Sequence, residues 1–167
     1  NDLCQALTLP YGNGAYSITF LLPREGKSVG DVLSTLTAET WQRNYGYMKD
    51  ANVDVKLPRF ESKTDISLKE IMADLGLPNA FNPYLAEFPY FCNVSTYIDL
   101  MKQVARIKLN EAGTEAAAVT VIGMEESAYD PEPEIRNVEF HANRPFLYVI
   151  SEQSTGAIFF IGQYMGE

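Results

Sequence analysis

The sequence predicts an α+β fold that is rich in strands and contains a few short helices. Polar and apolar residues alternate in several stretches, as in residues 53–57, which is typical of half-buried strands. Helical spacing of apolar residues is confined to three brief stretches between residues 28 and 76. Strands and helices therefore do not follow the regular βαβ order of a parallel sheet.

The N-terminal part of the chain predicts a hairpin. Residues 3–9 and 15–22 are strand-like, and PYGNG at 10–14 has the composition of a tight turn. The next strand covers residues 53–57, where Val53, Val55 and Leu57 alternate with charged residues.

Three short helices are predicted between these strands and after them. A cap at Ser28 precedes the first, and a capping box of Ser67 and Glu70 precedes the third, which ends at Gly76. In chain order, the apolar stripes of the three helices comprise Val29, Val32, Leu33 and Leu36, then Trp41, Tyr45 and Met48, then Leu68, Ile71, Met72 and Leu75.

The second half of the chain has an irregular, aromatic-rich stretch at 77–96 and then extended segments. Residues 97–111 are predicted to be extended, because apolar and basic residues alternate there. Residues 146–150 and 157–162 are continuous apolar runs, which predict strands buried on both faces and joined by the turn at 153–156.

Between these segments, residues 112–134 are predicted to form a long exposed loop. Its first part consists of small residues, and its second part is acidic and contains proline without a core pattern. Long loops without regular structure in compact domains tend to be functional.

The start of this loop has an unusual composition. Gly113 frees the backbone, and three consecutive alanines follow Glu115. Read at period two, one face is small or apolar and uncharged: Thr114, Ala116, Ala118, Thr120, Ile122 and Met124. Such a segment can insert into a sheet as a strand, and a flexible alanine-rich linker is the alternative.

Composition excludes several functions. The net charge is −9, with 13 basic and 22 acidic residues, so a nucleic acid would be repelled. Cys4 and Cys92 lack a CxxC spacing and His141 is the only histidine, which argues against a metal site. No apolar run is long enough for a membrane span. With no nucleophile motif, the residues do not indicate an enzyme.

The loop start and several other segments resemble one family, the serpins. The serpin hinge resembles the run Glu111-Ala112-Gly113-Thr114-Glu115-Ala116-Ala117-Ala118. Four further segments resemble serpin strands and helices in the right order: LPYGNGAYSITFLLP at 9–23, VKLPRFESKTDISLKEIMADLG at 55–76, HANRPFLYVI at 141–150 and TGAIFFIGQYM at 155–165.

The resemblance implies that residues 1–167 are the C-terminal part of a single serpin domain, made mainly of antiparallel sheets. The reactive-centre loop then covers about residues 112–134, and strands of the main sheet lie near 57–64 and 97–111. A whole serpin is more than twice this length, so the N-terminal half is expected to be absent from this chain.

The resemblance also implies a function, the inhibition of serine or cysteine endopeptidases. The protease cleaves the loop, which then inserts into the main sheet with the protease attached. The implied hinge is Glu111 with Gly113, Thr114, Glu115, Ala116, Ala117 and Ala118. Arg59 and Glu111 match an ion pair at the top of the sheet, and Gln103 replaces a histidine found in many serpins. A non-inhibitory serpin that acts as a carrier or binding protein is the alternative.

Counting along the family's loop places the reactive bond between Ser127 and Ala128, with Met124 and Tyr129 as alternatives. No Lys or Arg lies between Lys108 and Arg136, so an elastase-, subtilisin- or chymotrypsin-like target fits better than a trypsin-like one. The family implies no cofactor and an extracellular or cell-envelope location. Asn93 begins a formal glycosylation motif.

Overall fold

Strands predominate in the computed structural model, which describes residues 2–46, 48–110 and 136–166. The strands are β1 (Cys4–Tyr11), β2 (Tyr16–Pro23), β3 (Ala51–Lys56), β4 (Phe60–Ser67), β5 (Lys102–Leu109), β6 (Arg136–His141), β7 (Phe146–Glu152) and β8 (Ile158–Tyr164). The helices are α1 (Val29–Ser34), α2 (Ala38–Gly46) and α3 (Lys69–Asp74), and a 3₁₀ turn spans Asn79–Phe81. The α+β prediction is confirmed.

The chain divides into two units. The first, called here the sheet unit, comprises Asn1–Arg59 and Leu109–Glu167. The second comprises Phe60–Lys108 and contains the paired strands β4 and β5, which are joined by residues 68–101 and not by a tight turn. It is called the hairpin unit here.

A four-stranded sheet organises the sheet unit. Its order is β1-β2-β7-β8, and each neighbouring pair is antiparallel. The predicted N-terminal hairpin is confirmed, because β1 pairs with β2 and its last pair is Tyr11 with Tyr16. Gly12 and Gly14 in the turn have φ values of 47° and 81°, a left-handed backbone that favours glycine.

The two central strands of this sheet carry its core. Residues 17–23 of β2 and residues 146–149 of β7 are buried. The prediction that residues 146–150 form a buried strand is confirmed, except that Ile150 is only partly buried. The sheet is therefore rigid at its centre, where both neighbours of each strand are present.

Helix α1 covers one end of the sheet. The Ser28 hydroxyl accepts a hydrogen bond from the Asp31 backbone N–H (3.1 Å), and the Asp31 carboxylate accepts one from the Ser28 N–H (2.8 Å), which completes a capping box. Val29 and Val32 on the apolar face of the helix pack in one cluster with three residues of the sheet, Cys4, Leu21 and Leu147. The predicted first helix is thus confirmed.

The outermost strand departs from the prediction. Ile158, Phe159, Phe160 and Ile161 of β8 are 45–56% exposed, so the prediction of a strand buried on both faces is wrong. Successive side chains of a strand point to opposite faces, so the exposure of all four shows that the described residues leave both faces of β8 only partly covered.

A second, smaller sheet in the same unit pairs β3 with β6 in parallel. The predicted strand at 53–57 is confirmed as β3, which begins two residues earlier. Strand β6, which begins at Arg136 just after the predicted loop at 112–134, is not predicted from the sequence.

The hairpin unit contains the β4–β5 pair, α3 and the 3₁₀ turn. The predicted capping box of Ser67 and Glu70 is wrong, because Ser67 ends β4 and Leu68 is the N-cap without a side-chain hydrogen bond. Leu68 donates its backbone N–H to the Met101 carbonyl instead (2.9 Å). The strand at 97–111 is shorter than predicted and begins at Lys102.

Candidate functional site

The predicted site residues fall mostly outside the described part of the chain. Glu111, the hinge residues Gly113, Thr114, Glu115, Ala116, Ala117 and Ala118, and the reactive-bond candidates Met124, Ser127, Ala128 and Tyr129 all belong to residues 111–135. Arg59 is described. The structure therefore shows the two supports of this segment, β5 on its N-terminal side and β6 on its C-terminal side.

The N-terminal support is the β4–β5 pair of the hairpin unit. Arg106 Nε donates to Glu61 Oε1 at 2.9 Å, and Arg106 Nη2 lies 2.8 Å from the same oxygen. Lys102 Nζ lies 2.9 Å from Asp65 Oδ2. Lys102 and Arg106 are four residues apart on β5 and share a face, so two ion pairs connect one face of the pair of strands.

These ion pairs are exposed to solvent. The hydrogen bond from Arg106 and its charge hold the pKa of Glu61 below its usual range, and Glu61 raises the pKa of Arg106 in return. Salt screens exposed charges, so the pairs align the strands without contributing much to their stability.

The C-terminal support is β6, which is held in a parallel register on β3. Arg136 is opposite Ala51 and His141 is opposite Lys56. Val138 and Phe140 alternate with polar residues, and Phe140 is buried. After the strand, the Ala142 backbone N–H donates to the Lys56 carbonyl at 2.8 Å and continues the connection.

An aromatic cluster anchors β6 to the four-stranded sheet. The ring of Phe140 lies 6.5 Å from Phe20, and Phe20 contacts Phe146 edge to face with centroids 5.7 Å apart. Tyr164 of β8 continues the cluster at 5.1 Å from Phe146. Such pairs stabilise a core beyond the area they bury, so β6 is firmly packed near its C-terminal end, at Phe140, whereas residues 136–139 are exposed.

The polar face of the small sheet carries the only histidine. His141 Nε2 lies 2.8 Å from Asp54 Oδ2, and Lys56 Nζ lies 3.9 Å from the same oxygen. Within the described residues Asp54 is the one partner of the imidazole, so no hydroxyl or thiol is held against the ring as a nucleophile.

Arg59 follows β3 and borders a cavity of about 1160 Å³ within the sheet unit. Leu7, Leu9 and Val55 contribute apolar lining. Asn110 and Arg136, the described residues on either side of the 111–135 segment, also line it. The predicted ion pair of Arg59 with Glu111 lies outside the described residues because Glu111 does.

Neither cysteine is in a disulfide: Cys4 is buried and Cys92 is partly buried. Burial raises the pKa of the Cys4 thiol, which disfavours a reactive thiolate. Within 2–46, 48–110 and 136–166, no three His, Cys, Asp or Glu side chains are grouped so that they could hold a metal ion. No helix in the same ranges has the length and apolar character needed to cross a membrane.

Two features of the supports were missed from the sequence. Strand β6 has a readable signal, since Val138 and Phe140 alternate with Asn137, Glu139 and His141. The contact of His141 with Asp54 joins residues far apart in the chain, and no local pattern indicates it.

Comparison with known proteins identifies the relatives of the chain. The family model described as "Serpin (serine protease inhibitor)" matches residues 1–166. Serine protease inhibitor 88Ea of Drosophila melanogaster is 33% identical over 156 residues, which cover 93% of this chain and 36% of that protein. Human antithrombin-III is 32% identical over 162 residues, which cover 95% of this chain and 34% of the relative.

Solved structures agree with the sequence relatives. The native state of tengpin, a thermophilic serpin, superposes with a TM-score of 0.79 at 27% identity, covering 100% of this chain and 43% of tengpin. A tumour-suppressing serpin superposes with a TM-score of 0.79 at 22% identity, which shows the fold alone, over 99% of this chain and 43% of that one. The chain thus spans little more than a third of the length of its sequence relatives and matches their C-terminal part.

Proposed function

Because the chain belongs to the serpin family, we propose that it forms part of an inhibitor of serine endopeptidases, and of cysteine endopeptidases of similar specificity, and not of an enzyme. A protease attacks the reactive loop as a substrate and forms an acyl-enzyme. The cleaved loop then inserts into the main sheet before the acyl-enzyme is hydrolysed, and the trapped protease loses its active geometry.

The observation that carries this proposal is the composition of residues 113–124 in a chain that matches the family over residues 1–166. Its alternate residues, from Thr114 to Met124, are small or apolar and uncharged. A charged side chain on that face would be costly to bury in a sheet. Insertion of this segment therefore encounters no charge, which is the requirement for inhibition.

Strand insertion also supplies enough free energy. About a dozen newly paired residues, each stabilised by ~0.5–1.5 kcal/mol per hydrogen bond, contribute on the order of 10 kcal/mol. Burial of Ile122 and Met124 adds apolar stabilisation. This sum is comparable with the whole stability of a typical domain, so it can deform the active site of a protease.

The reactive bond in this proposal lies between Ser127 and Ala128. The small residue Ser127 suits an elastase- or subtilisin-like protease, and the neighbouring Tyr129 suits a chymotrypsin-like one. The absence of Lys and Arg between Lys108 and Arg136 disfavours a trypsin-like target. Pro131 and Pro133 stiffen the C-terminal side of the bond.

We place residues 1–167 at the C-terminal end of one serpin domain, whose remaining strands and helices come from a preceding polypeptide. Two features support this placement: the chain covers 43% of tengpin, and β8, the last strand of its sheet among the described residues, exposes the apolar side chains of residues 158–161. Unpaired edges of this kind favour association with another strand. Activity then belongs to the full-length serpin, which we expect outside the cell or in the cell envelope.

The proposal is tested with the full-length serpin and three proteases: elastase, chymotrypsin and trypsin. We expect a covalent complex that survives denaturing electrophoresis with elastase or chymotrypsin, and cleavage at Ser127–Ala128 by mass spectrometry. Ala116→Arg places a charge on the inserting face and should turn the inhibitor into a substrate that is cleaved without a complex.

Ala117→Arg is the matched control, because Ala117 lies on the opposite face of the same extended segment and should retain complex formation. Cleavage of the wild-type loop without a complex or a gain in heat stability would instead identify a non-inhibitory serpin. Cleavage confined to Arg136 would contradict the position of the reactive bond.

A further inference from the structure

The polar face of the small β3–β6 sheet holds a cluster of charged groups that the proposed inhibition does not use. Asp54 is opposite Glu139 in the parallel register, and Lys56 is opposite His141. The contact between His141 Nε2 and Asp54 Oδ2 (2.8 Å) therefore runs diagonally from one strand to the other. The two residues belong to the same unit of the chain.

The described residues place charged groups of both strands on the face that carries the imidazole. From β3, Asp54 contacts it, and Lys56 lies 3.9 Å from the same Asp54 oxygen. From β6, Glu139 shares the face by alternation, two residues before His141. From β1, the uncharged amide of Gln5 donates from Nε2 to the Glu139 carbonyl at 3.3 Å.

Arg144, which follows β6, is directed elsewhere. Its Nε donates to the Pro23 carbonyl at 2.7 Å, and its Nη1 donates to Asn143 Oδ1 at 3.1 Å. The side chain of His141 thus shares its face with two carboxylates and one ammonium group, and of these Asp54 makes the direct contact with the imidazole.

Histidine side chains change charge between pH 5 and pH 8. The side chain of His141 is 30% exposed, so protons reach it from the solvent. When protonated, it carries a positive charge between β3 and β6 and offsets the like charges of Asp54 and Glu139. When neutral, it retains at most a hydrogen bond, and the repulsion between the two carboxylates is less compensated.

We propose that the contact between His141 and Asp54 is a pH-sensitive clasp that holds β6 on β3 more tightly in mildly acidic than in alkaline solution. Because β6 begins at Arg136, directly after the 111–135 segment, the clasp contributes, together with Phe140, to the anchoring of the strand that follows that segment. The consequence for protease inhibition rests on the proposed function, whereas the clasp itself does not.

The clasp has a lower pH limit as well. The hydrogen bond with His141, with smaller effects of the Lys56 and His141 charges, holds the pKa of Asp54 below its usual range. A carboxyl whose pKa is lowered in the folded state stabilises that state above its ordinary pKa, and this contribution is lost as the pH falls through the lowered value. The clasp therefore also weakens in strongly acidic solution, where the Asp54 carboxylate is protonated.

Hydrogen exchange of the full-length serpin tests the clasp at about pH 5.5 and about pH 8, on either side of the usual histidine titration. After correction for intrinsic exchange rates, we expect the protection of the β6 amides to fall roughly twofold to fivefold at the higher pH, the range typical of an exposed pair. His141→Gln and Asp54→Asn should each remove this dependence. His141 is the only histidine in residues 1–167, and its NMR signal, assigned by its loss in His141→Gln, should follow the same pH curve as the protection of β6.

Asp65→Asn is the matched control, since it removes the same charge from the exposed ion pair with Lys102 in the hairpin unit. It should leave the pH dependence of β6 unchanged. The proposal is overturned if wild-type β6 protection does not change with pH, if the change persists in both clasp variants, or if the control also removes it. If β6 protection depends on pH as expected but no covalent complex forms with a protease, only the proposed function is refuted.

Discussion

The two units of the chain are held together in different ways. The sheet unit has a core in which Phe20, Phe146 and Val149 are completely buried. In the hairpin unit, whose residues 60–108 are all described, Phe81 is the one buried side chain, and it is 6% exposed. Its strands β4 and β5 are joined by two exposed ion pairs, and a backbone hydrogen bond connects Leu68 to Met101 beside them.

This difference matters because the 111–135 segment has one support at each end. Its C-terminal support, β6, is fixed through Phe140 to an aromatic core. Its N-terminal support, β5, pairs with β4 in the unit that has little core. Segments with few buried apolar contacts open at low free energy, so we expect β5 to be the more adaptable support.

Truncation of an aromatic ring in each unit should give the largest contrast. Phe20→Ala removes a fully buried ring that contacts Phe140 and Phe146, and we expect a loss of about 3–5 kcal/mol in the free energy of unfolding. Phe91→Ala in the hairpin unit removes a ring that is 84% exposed, and its effect should stay within ~0.5 kcal/mol. Urea unfolding of the full-length serpin measures both.

Equal losses for the two variants would contradict the comparison. A large loss for Phe91→Ala would indicate that the rest of the serpin covers this ring, and would extend the core to the hairpin unit.

A close approach between β7 and β8 offers a second test of the sheet unit. Gly162 is opposite Tyr148, and a Cβ at this glycine would overlap the ring and hydroxyl of Tyr148. Gly162→Ala should therefore cost about 1–3 kcal/mol, as overpacking against a buried ring does, because Tyr148 is buried. The measurement is the free energy of unfolding from urea titration.

Gly30→Ala is the control for this substitution. Gly30 lies in α1, and the nearest group to an added Cβ is Ser28 Oγ at 3.6 Å, which is an ordinary contact. Because alanine favours a helix over glycine, we expect a gain of up to about 1 kcal/mol. If both alanines destabilise alike, overlap with the Tyr148 ring does not explain the cost, because Gly30 has no such neighbour.

Patterns that depend on near neighbours in the chain were predicted well. The hairpin turn at 10–14, the cap at Ser28 and the strand at 53–57 each rest on residues close in sequence, and the structure has all three. The capping box at Ser67 failed because β4 extends through that residue, and tertiary pairing overrides a local capping preference.

The remaining differences concern contacts that no local pattern contains. An apolar run such as 158–161 indicates a buried strand only if neighbours cover both faces, and β8 is an edge strand among the described residues. The hinge was recognisable from its composition, whereas the anchoring of β6 by Phe140 and by the contact with Asp54 required the fold.

Each unit has a carboxylate whose pKa is lowered, and the two differ in the groups that lower it. In the sheet unit, Glu152 accepts hydrogen bonds from the backbone N–H groups of Ser154 (2.9 Å) and Thr155 (2.8 Å) and from the Thr155 hydroxyl. These bonds lower its pKa from 4.5 to about 2. In the hairpin unit, Arg106 lowers the pKa of Glu61.

Glu152→Gln and Glu61→Gln should both lower the thermal midpoint at neutral pH, because each carboxylate is stabilised in the folded state. For Glu152 the difference from wild type should be complete above pH 4.5 and disappear as the pH falls towards about 2. Added salt should reduce the effect of Glu61→Gln, whose partner is a mobile charge, more than that of Glu152→Gln, whose partners are local donors. Equal salt sensitivity would show that the turn at Glu152 depends on long-range charge, and that the two units are not stabilised differently at their surfaces.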